Sequence, residues 1–445
     1  MVKTKPKKIL SGWGRYPSAE TQVVRPERMA QVGSFGRSTI PRGWGRSYND
    51  AAINGDGDVL MMERLNRFLS FDADSGALLV EAGVTLEEIL EHFVPRGWFL
   101  PIVPGTKKVT VGGCIAADVH GKNHHVAGTF SSCVREIELM LADGTQKKVS
   151  PAEDPALFWA TVGGMGLTGV ITSVYLQLEP VTSAYMQVRH TPTKSLEEAI
   201  NLLDDTYRQA RYSVAWLDIL SSGRGIVMTG DHLTADECKI RNPLHLRPRK
   251  EHALPTEALS WLLNSASVAA FNNVYYWAQS RKTKPFIVDY DRYFFPLDAI
   301  KNWNGFYGKK GFVQYQCVVP TESAQECFSA ILQQLSQGGH PSYLAVLKRM
   351  GAEGQGLLSF PMEGYTLALD MPIKEGLFPL LDTLDEMVLS LGGRSYLAKD
   401  ARMKAETFRA MYPRFSQWCH VKADVDPKGV FSSDMSRRLE MGGVL

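Results

Sequence analysis

Pro104 to Asn123 reads PGTKKVTVGGCIAADVHGKN. Gly105, Gly112 and Gly113 sit there among small or β-branched side chains, and His120-Gly121-Lys122 follows. Glycine has no Cβ, so backbone at these positions can lie close to a flat or phosphorylated ligand. A run both glycine-rich and hydrophobic is ill suited to a solvent loop. Taken alone it has two readings. It is backbone laid against a large cofactor, with His120 and Lys122 at the reactive end, or it is a buried turn with no ligand.

Upstream, Ser38 to Asp50 reads STIPRGWGRSYND, with Ile40 at a strand end. Arg42-Gly43-Trp44-Gly45-Arg46-Ser47-Tyr48 packs two glycines, two arginines and the Ser47 hydroxyl into one turn. Successive backbone N–H groups in such a turn make an anion nest, and arginine adds charge, which suits a pyrophosphate. It is not a Rossmann turn, because the third glycine of GxGxxG is missing. A surface turn with solvated arginines is the plain alternative. Downstream, Val162 to Gly169, VGGMGLTG, is a further glycine cluster.

The elements between these clusters are short. Val59–Met62 and Ala77–Val80 read as strands. Thr85–Phe93 reads as a helix with a Thr85/Glu88 capping box and an apolar face of Leu86, Ile89, Leu90 and Phe93. Ile137, Leu139 and Leu141 alternate up to an Asp143-Gly144 hairpin turn. A short helix over Pro155–Ala160 and a strand through Val174, Leu176 and Leu178 follow. Ordered structure is expected to open at Ser11, and residues 1 to about 180 form an α+β region.

Beyond Pro180 the pattern changes. A helix is expected from Ser195 to Leu203, with a second capping box on Ser195 and Glu198. Strands are expected at Ser213–Leu220, Gly225–Thr229, Phe312–Val319 and Tyr365–Leu369, and helices at Glu322–Leu335 and Leu377–Leu391. This alternation predicts an antiparallel sheet covered by helices. Residues 239–250 carry Lys239, Arg241, Arg247, Arg249 and Lys250 with no acid among them. Leu259 to Leu263 (LSWLL) and Tyr275-Tyr276-Trp277 then bring large apolar groups. The mixture fits a surface loop beside a core helix, or a segment that docks on an anionic membrane surface.

At 445 residues the chain exceeds a single-domain length. Hydrophobic residues make up 44% and charged residues 22%, as in soluble proteins, and a net charge of +2 gives no general pull toward nucleic acid. The six cysteines show neither CxxC nor zinc spacing and read as reduced thiols of a cytoplasmic chain. No apolar run is long enough to span a bilayer, and no signal peptide is visible behind MVKTKPKKIL. His120 and His124 invite a metal reading. Gly121 between them argues against a helix and no third ligand is placed, so no metal is expected.

Three glycine clusters in one N-terminal region, one flanked by arginines, resemble the FAD-binding domain of the vanillyl-alcohol-oxidase (PCMH-type) fold family. The runs RGWGRSYND, PGTKKVTVGGCIAADVHGKNHH, LFWATVGGMGLTGVI, QYQCVVPTE, AKDAR, AETFRAMYPR and FSSDMSRRLE resemble, in order, the decaprenylphosphoryl-β-D-ribose 2′-oxidase family. The resemblance runs from Gly12 to Glu440. It implies a two-domain α+β FAD-linked oxidase with an antiparallel-sheet substrate domain. Residues 7–183 would be the FAD-binding part, 184–394 the substrate domain, and 395–445 a return to the first.

The resemblance also implies site residues. Arg42, Gly43, Trp44, Gly45, Arg46, Ser47, Tyr48, Asn49 and Asp50 would hold the pyrophosphate. Gly105, Thr110, Val111, Gly112, Gly113, Ala117, Asp118, Val119 and His120 would line the cofactor, and Ile171 and Tyr396 complete its site. Lys399 would be the essential polar group, with His120 and Gln316 beside it. Lys122, Trp216, Gln314, Gln316, Lys348, Ala368 and Lys399 would face the substrate. Ala368 stands where mycobacterial members carry a pocket cysteine that nitroaromatic inhibitors attack. Phe294 and Thr366 replace a tyrosine and an asparagine of that pocket. Some members of the wider family attach FAD through a histidine in the first turn; Arg42–Asp50 contains none, so FAD is expected to be noncovalent.

The implied chemistry is transfer of a hydride from a secondary alcohol to flavin, with the O–H proton passing to a base or water. A cationic lysine stabilises alkoxide charge; a neutral one acts as base if burial lowers its pKa. Implied partners are a lipid-linked pentose, an anionic membrane surface and an NAD-dependent short-chain reductase that completes an epimerisation. The implied place is the cytoplasm, peripherally on the membrane, or its periplasmic face. An oxidase of another sugar or alditol, or a scaffold that has lost catalysis, are the competing functions.

Overall fold

Thr85 begins its helix as the spacing predicts. Its hydroxyl accepts from Glu88 N at 3.1 Å, and the Glu88 carboxylate accepts from Thr85 N at 2.7 Å. Such a cap contributes about 1 kcal/mol. Helix Leu86–Phe93 then buries Leu86, Ile89, Leu90 and Phe93. Ser195 caps helix Leu196–Thr206 in the same way, but the return bond differs: Glu198 reaches Lys194 N at 2.7 Å rather than the cap residue's own N–H.

The computed structural model describes residues 6–442 except 34, 36, 222, 247, 248, 259, 263, 341 and 343. Arg247, Leu259 and Leu263 of the basic and apolar runs lie outside the described residues. Ordered chain begins before Ser11, because Lys7–Ser11 pairs antiparallel with Ser18–Val24. These two strands join Asp58–Met61 and Thr39–Arg42 in a four-stranded sheet. A five-stranded antiparallel sheet follows in the order Phe68–Asp72, Ala77–Glu81, Val170–Gln177, Val134–Met140, Gln146–Val149. The last residues return to the first sheet, where Phe431 bridges Thr39.

The second sheet system is the expected antiparallel one. Its eight strands run Phe286–Asp289, Tyr185–Thr193, Gly225–His232, Tyr212–Leu217, Ala345–Met350, Gly364–Pro372, Phe312–Val319, Arg394–Ser395. Alternation along a strand sends neighbours to opposite faces. Val313, Tyr315, Cys317, Ala345, Leu347, Leu367 and Leu369 go to one face and pack under helices Leu196–Thr206, Ala324–Gly338 and Leu377–Ser390. Gln314, Gln316, Val346, Lys348, Ala368 and Asp370 go to the other. Register aligns Trp216, Val346, Ala368 and Gln316 in one row across four strands.

Some boundaries move. The strand expected to reach Leu220 stops at Leu217, because the Asp218 carboxylate turns back to accept from Leu220 N and Arg224. The helix expected from Glu322 starts at Ala324 after a 3-10 turn over Thr321–Ser323. The helix expected beside the basic run is Ser265–Ser280, and it is not a core helix, because Phe271, Val274 and Trp277 are exposed. All six cysteines are free and buried. Among the described residues no helix is long and apolar enough to cross a membrane.

Candidate active site

A cavity of about 590 Å³ opens between the glycine clusters and the polar face of the eight-stranded sheet. Its volume suits a cofactor or small-molecule site. From the first turn, Arg42, Gly43, Trp44, Gly45, Arg46, Ser47 and Tyr48 line it. Gly45 takes a φ of +63°, and a Cβ there would strike the Arg42 guanidinium, so the turn needs glycine. The two arginines do different jobs. Arg42 is spent on the Ala52 and Ser11 carbonyls at 3.0 and 2.7 Å, and burial lowers its pKa to about 10. Arg46 lies 4.1 Å over the Trp13 ring, and its buried Nε has no partner.

From the central stretch, Gly105, Thr110, Gly112, Gly113, Ala117, Val119 and His120 line the cavity, joined by Ile171 and Tyr396. A Cβ at Gly105 would meet nothing within 4 Å and would project into open space. Met165 and Gly166 bring the VGGMGLTG cluster to the same wall. Val111 and Asp118 stand behind it. Val111 is fully buried, and the buried Asp118 carboxylate accepts from Ser359 Oγ at 2.5 Å.

Asn49 and Asp50 also stand back from the cavity, and they grip the turn that carries Lys399. Asn49 Nδ2 donates to the Leu397 and Asp400 carbonyls at 2.5 and 2.7 Å, and Tyr48 N donates to the Ala398 carbonyl at 3.0 Å. Arg438 bridges the carboxylates of Asp50 and Asp400, each at 2.9 Å. Both carboxylates are buried. Lys399 is thereby fixed from both sides.

Lys399 lines the cavity with Nζ 3.8 Å over the Tyr48 ring. Burial lowers its pKa to about 7; Asp370 opposes that shift and Lys348 adds to it. Asp370, raised to about 6 by burial, accepts a hydrogen bond from Gln314 through Oδ1, and its Oδ2 has no partner. The strand expected to end at Leu369 runs on to Pro372, and this brings in Asp370, which the sequence pattern leaves out. The alternation Thr366, Ala368, Asp370 is the signal that would have found it.

Gln316 Nε2 lies 3.1 Å from His120 Nε2 and 3.2 Å from Thr366 Oγ1. An amide N–H can only donate, so His120 Nε2 accepts and the ring proton sits on Nδ1. That Nδ1 is buried without a partner. Burial, then Lys348, hold His120 well below its usual pKa, so it is neutral. Lys348, lowered to about 8 by burial, Gln314 and Ala368 line the same cavity.

Lys122, Trp216 and Phe294 do not line it. Lys122 donates to the Tyr293 carbonyl and sits 4.1 Å over the Tyr293 ring, and burial lowers its pKa to about 7. Phe294 packs in an aromatic core against Phe99 and Tyr212. Trp216 stands one strand outward from Val346, under Tyr275. His120 and His124 are 6.3 Å apart between ring centroids, and among the described residues no group of His, Cys, Asp and Glu could hold a metal.

The residues present fit FAD. The glycine walls admit a flat group, while Arg46 Nε and His120 Nδ1 are donors left without protein partners. Comparison with known proteins agrees. Residues 16–150 match the FAD binding domain profile, and residues 311–439 match that of D-arabinono-1,4-lactone oxidase. A decaprenylphosphoryl-β-D-ribose oxidase of Mycolicibacterium smegmatis is 40% identical over 453 residues, covering 98% of each chain. Mouse L-gulonolactone oxidase is 25% identical over 87% of this chain and 86% of its own. An alditol oxidase of a Streptomyces species is 32% identical over 31% of this chain and 32% of its own.

Proposed function

The chain belongs to the decaprenylphosphoryl-β-D-ribose oxidase family, with the two-domain vanillyl-alcohol-oxidase fold, and on that premise we propose that it oxidises the 2′-hydroxyl of a polyprenylphosphoryl-β-D-ribose to the 2′-keto sugar. It is an FAD-dependent oxidoreductase acting on a sugar hydroxyl. The reaction is the first half of an epimerisation toward an arabinose donor for cell-wall polysaccharide. The observation that carries this reading is one cavity that holds both the glycine walls and the Lys399, His120 and Gln316 group.

When bound, FAD supplies the acceptor for the hydride from C2′. The turn from Arg42 to Ser47 and the glycines 105, 112 and 113 would hold it, with the Arg46 guanidinium toward its phosphates. Lys399, whose neutral form burial favours, takes the hydroxyl proton. Asp370 and the Tyr48 ring favour its charged form after the transfer. His120 Nδ1 and the amide of Gln314 offer donors to sugar oxygens, and Gln316 holds the His120 ring in orientation. Lys348 lines the same cavity as His120 and Lys399 and would offer a cation to the phosphate on C1′, one carbon from C2′.

The finer parts of the reading are these. FAD is held noncovalently, since Arg42–Asp50 has no histidine. Residues 7–183 and 395–445 form the FAD-binding unit and 184–394 the substrate unit. The enzyme works peripherally on a membrane, in the cytoplasm or on the periplasmic face, and a separate NAD-dependent reductase completes the epimerisation. Anaerobic mixing with substrate tests the function. Polyprenylphosphoryl-ribose should bleach the yellow flavin, and free ribose, lactones and alditols should not. Equal bleaching by an alditol would assign the chain to the oxidases of soluble sugars instead.

A further inference from the structure

Helix Ser265–Ser280 carries an apolar face toward solvent as well as one toward the protein. It buries Val268 and Asn272 and exposes Phe271, Val274 and Trp277, which are 52%, 66% and 57% exposed. Residues 271, 274 and 277 share one face. A soluble surface helix turns such a face inward. This one keeps its outward face although its inner side is already held by Val268, by Tyr275 on Trp216 and by polar bonds: Asn272 Nδ2 donates to Asp218 Oδ1 at 2.7 Å, and Arg224 donates to Asn273 Oδ1 at 2.6 Å. Trp261, 72% exposed, precedes the helix.

Charge points the same way. From Ala258 to Val288 the sequence has no acid, and its charged residues, Arg281, Lys282 and Lys284, are all basic. All three are exposed, and Arg281 lies 3.5 Å over the Trp277 ring. Apolar side chains ringed by cations match the boundary between acyl chains and anionic headgroups. Tyr275 and Tyr276, read from the sequence as interfacial groups, face the protein instead. Arg249 is bonded to the Phe295 and Pro296 carbonyls.

The helix also adjoins the site. Gln316, Ala368 and Val346 cross the sheet to Trp216 in one row, a span of about 14 Å at the usual strand spacing. The Trp216 ring lies 4.7 Å from Tyr275, and Tyr275 stacks 5.9 Å from Phe271. An apolar path therefore leads from the cavity wall to the exposed face. We propose that this face docks on an anionic bilayer and that the Trp216–Tyr275–Phe271 path carries the prenyl chain of the substrate from bilayer to cavity. The docking surface stands on the helix itself; the prenyl path rests on the function proposed above.

The test uses the full-length flavoprotein with Trp261, Val274 and Trp277 changed to Ser, and a second variant with Arg281, Lys282 and Lys284 changed to Ser. Cosedimentation is measured with vesicles of phosphatidylglycerol and phosphatidylcholine, and with phosphatidylcholine alone. The parent protein should sediment with the anionic vesicles, and each variant should bind at least about tenfold more weakly. Flavin bleaching by vesicle-borne polyprenylphosphoryl-ribose should slow in both, while bleaching by a soluble short-prenyl analogue stays unchanged. Unaltered vesicle binding in both variants overturns the docking. So does a parent dimer that the Ser variants convert to monomer, because the face then joins two copies of the chain. If the parent binds vesicles but no lipid-linked ribose bleaches it, the docking holds and the assigned substrate falls. If the soluble analogue bleaches it without vesicle binding, the substrate holds and the docking falls.

Discussion

The proton that leaves the sugar hydroxyl gives the sharpest prediction. Lys399 titrates at about 7 because burial outweighs the opposing charge of Asp370. A base works in its neutral form, so flavin reduction should speed up as pH rises. Because burial holds Lys399 well below the ordinary lysine range, the rate should rise severalfold across neutral pH rather than only above about pH 10. Asp370→Asn removes the group that favours the cation, so the midpoint should fall. An opposite charge close by shifts a pKa by about 1–3 units. The rising limb should therefore lie at lower pH in Asp370→Asn than in the parent. Lys399→Ala should flatten the profile and cost about 100-fold to 10,000-fold while FAD stays bound. Anaerobic stopped-flow reduction from pH 5.5 to 9 reads all three proteins. A rate that falls as pH rises through 7 would make Lys399 a cationic stabiliser. A limb that moves to higher pH in Asp370→Asn would refute the coupling.

Acid or heat should release FAD intact, and flavin left on denatured protein would show a covalent link. Nitroaromatic inhibitors that bond to a pocket thiol should leave the intact mass unchanged. Ala368 has no thiol, and burial pushes Cys114, elsewhere on the cavity wall, well above its usual pKa, so it offers no thiolate; a cavity adduct with full inhibition would overturn this. Arg438→Ala leaves the buried carboxylates of Asp50 and Asp400 without their shared partner and should destabilise the fold by about 3–5 kcal/mol. An unchanged urea midpoint would mean that the clamp on the Lys399 turn is redundant.

What could be read in the sequence was local. The Thr85 cap, the hairpin at Asp143-Gly144 and the strand Phe312–Val319 depend on residues a few positions apart, and all formed where expected. Asp370 was lost to a strand boundary drawn at Leu369, one residue short of its place on the polar face. Asn49 and Asp50 look like part of an anion-binding turn, yet their partners lie about as far away as the chain allows, Asn49 reaching a carbonyl 348 residues on. No spacing rule carries such a contact. Helix Ser265–Ser280 was hidden for a different reason. Its inward stripe, Val268, Asn272, Tyr275 and Tyr276, is mixed with polar groups, and its outward face carries Phe271, Val274 and Trp277, so apolar residues lie all round and no single periodic face stands out.

The most direct measurement of the central claim is an isotope effect. Polyprenylphosphoryl-ribose deuterated at C2′, at C1′ or at C3′ is mixed anaerobically with the enzyme, and flavin bleaching is followed in a single turnover. Deuterium at C2′ alone should slow the bleaching severalfold, since only that C–H bond breaks. Slowing by deuterium at another carbon, or bleaching indifferent to C2′, would contradict oxidation of the 2′-hydroxyl at this site.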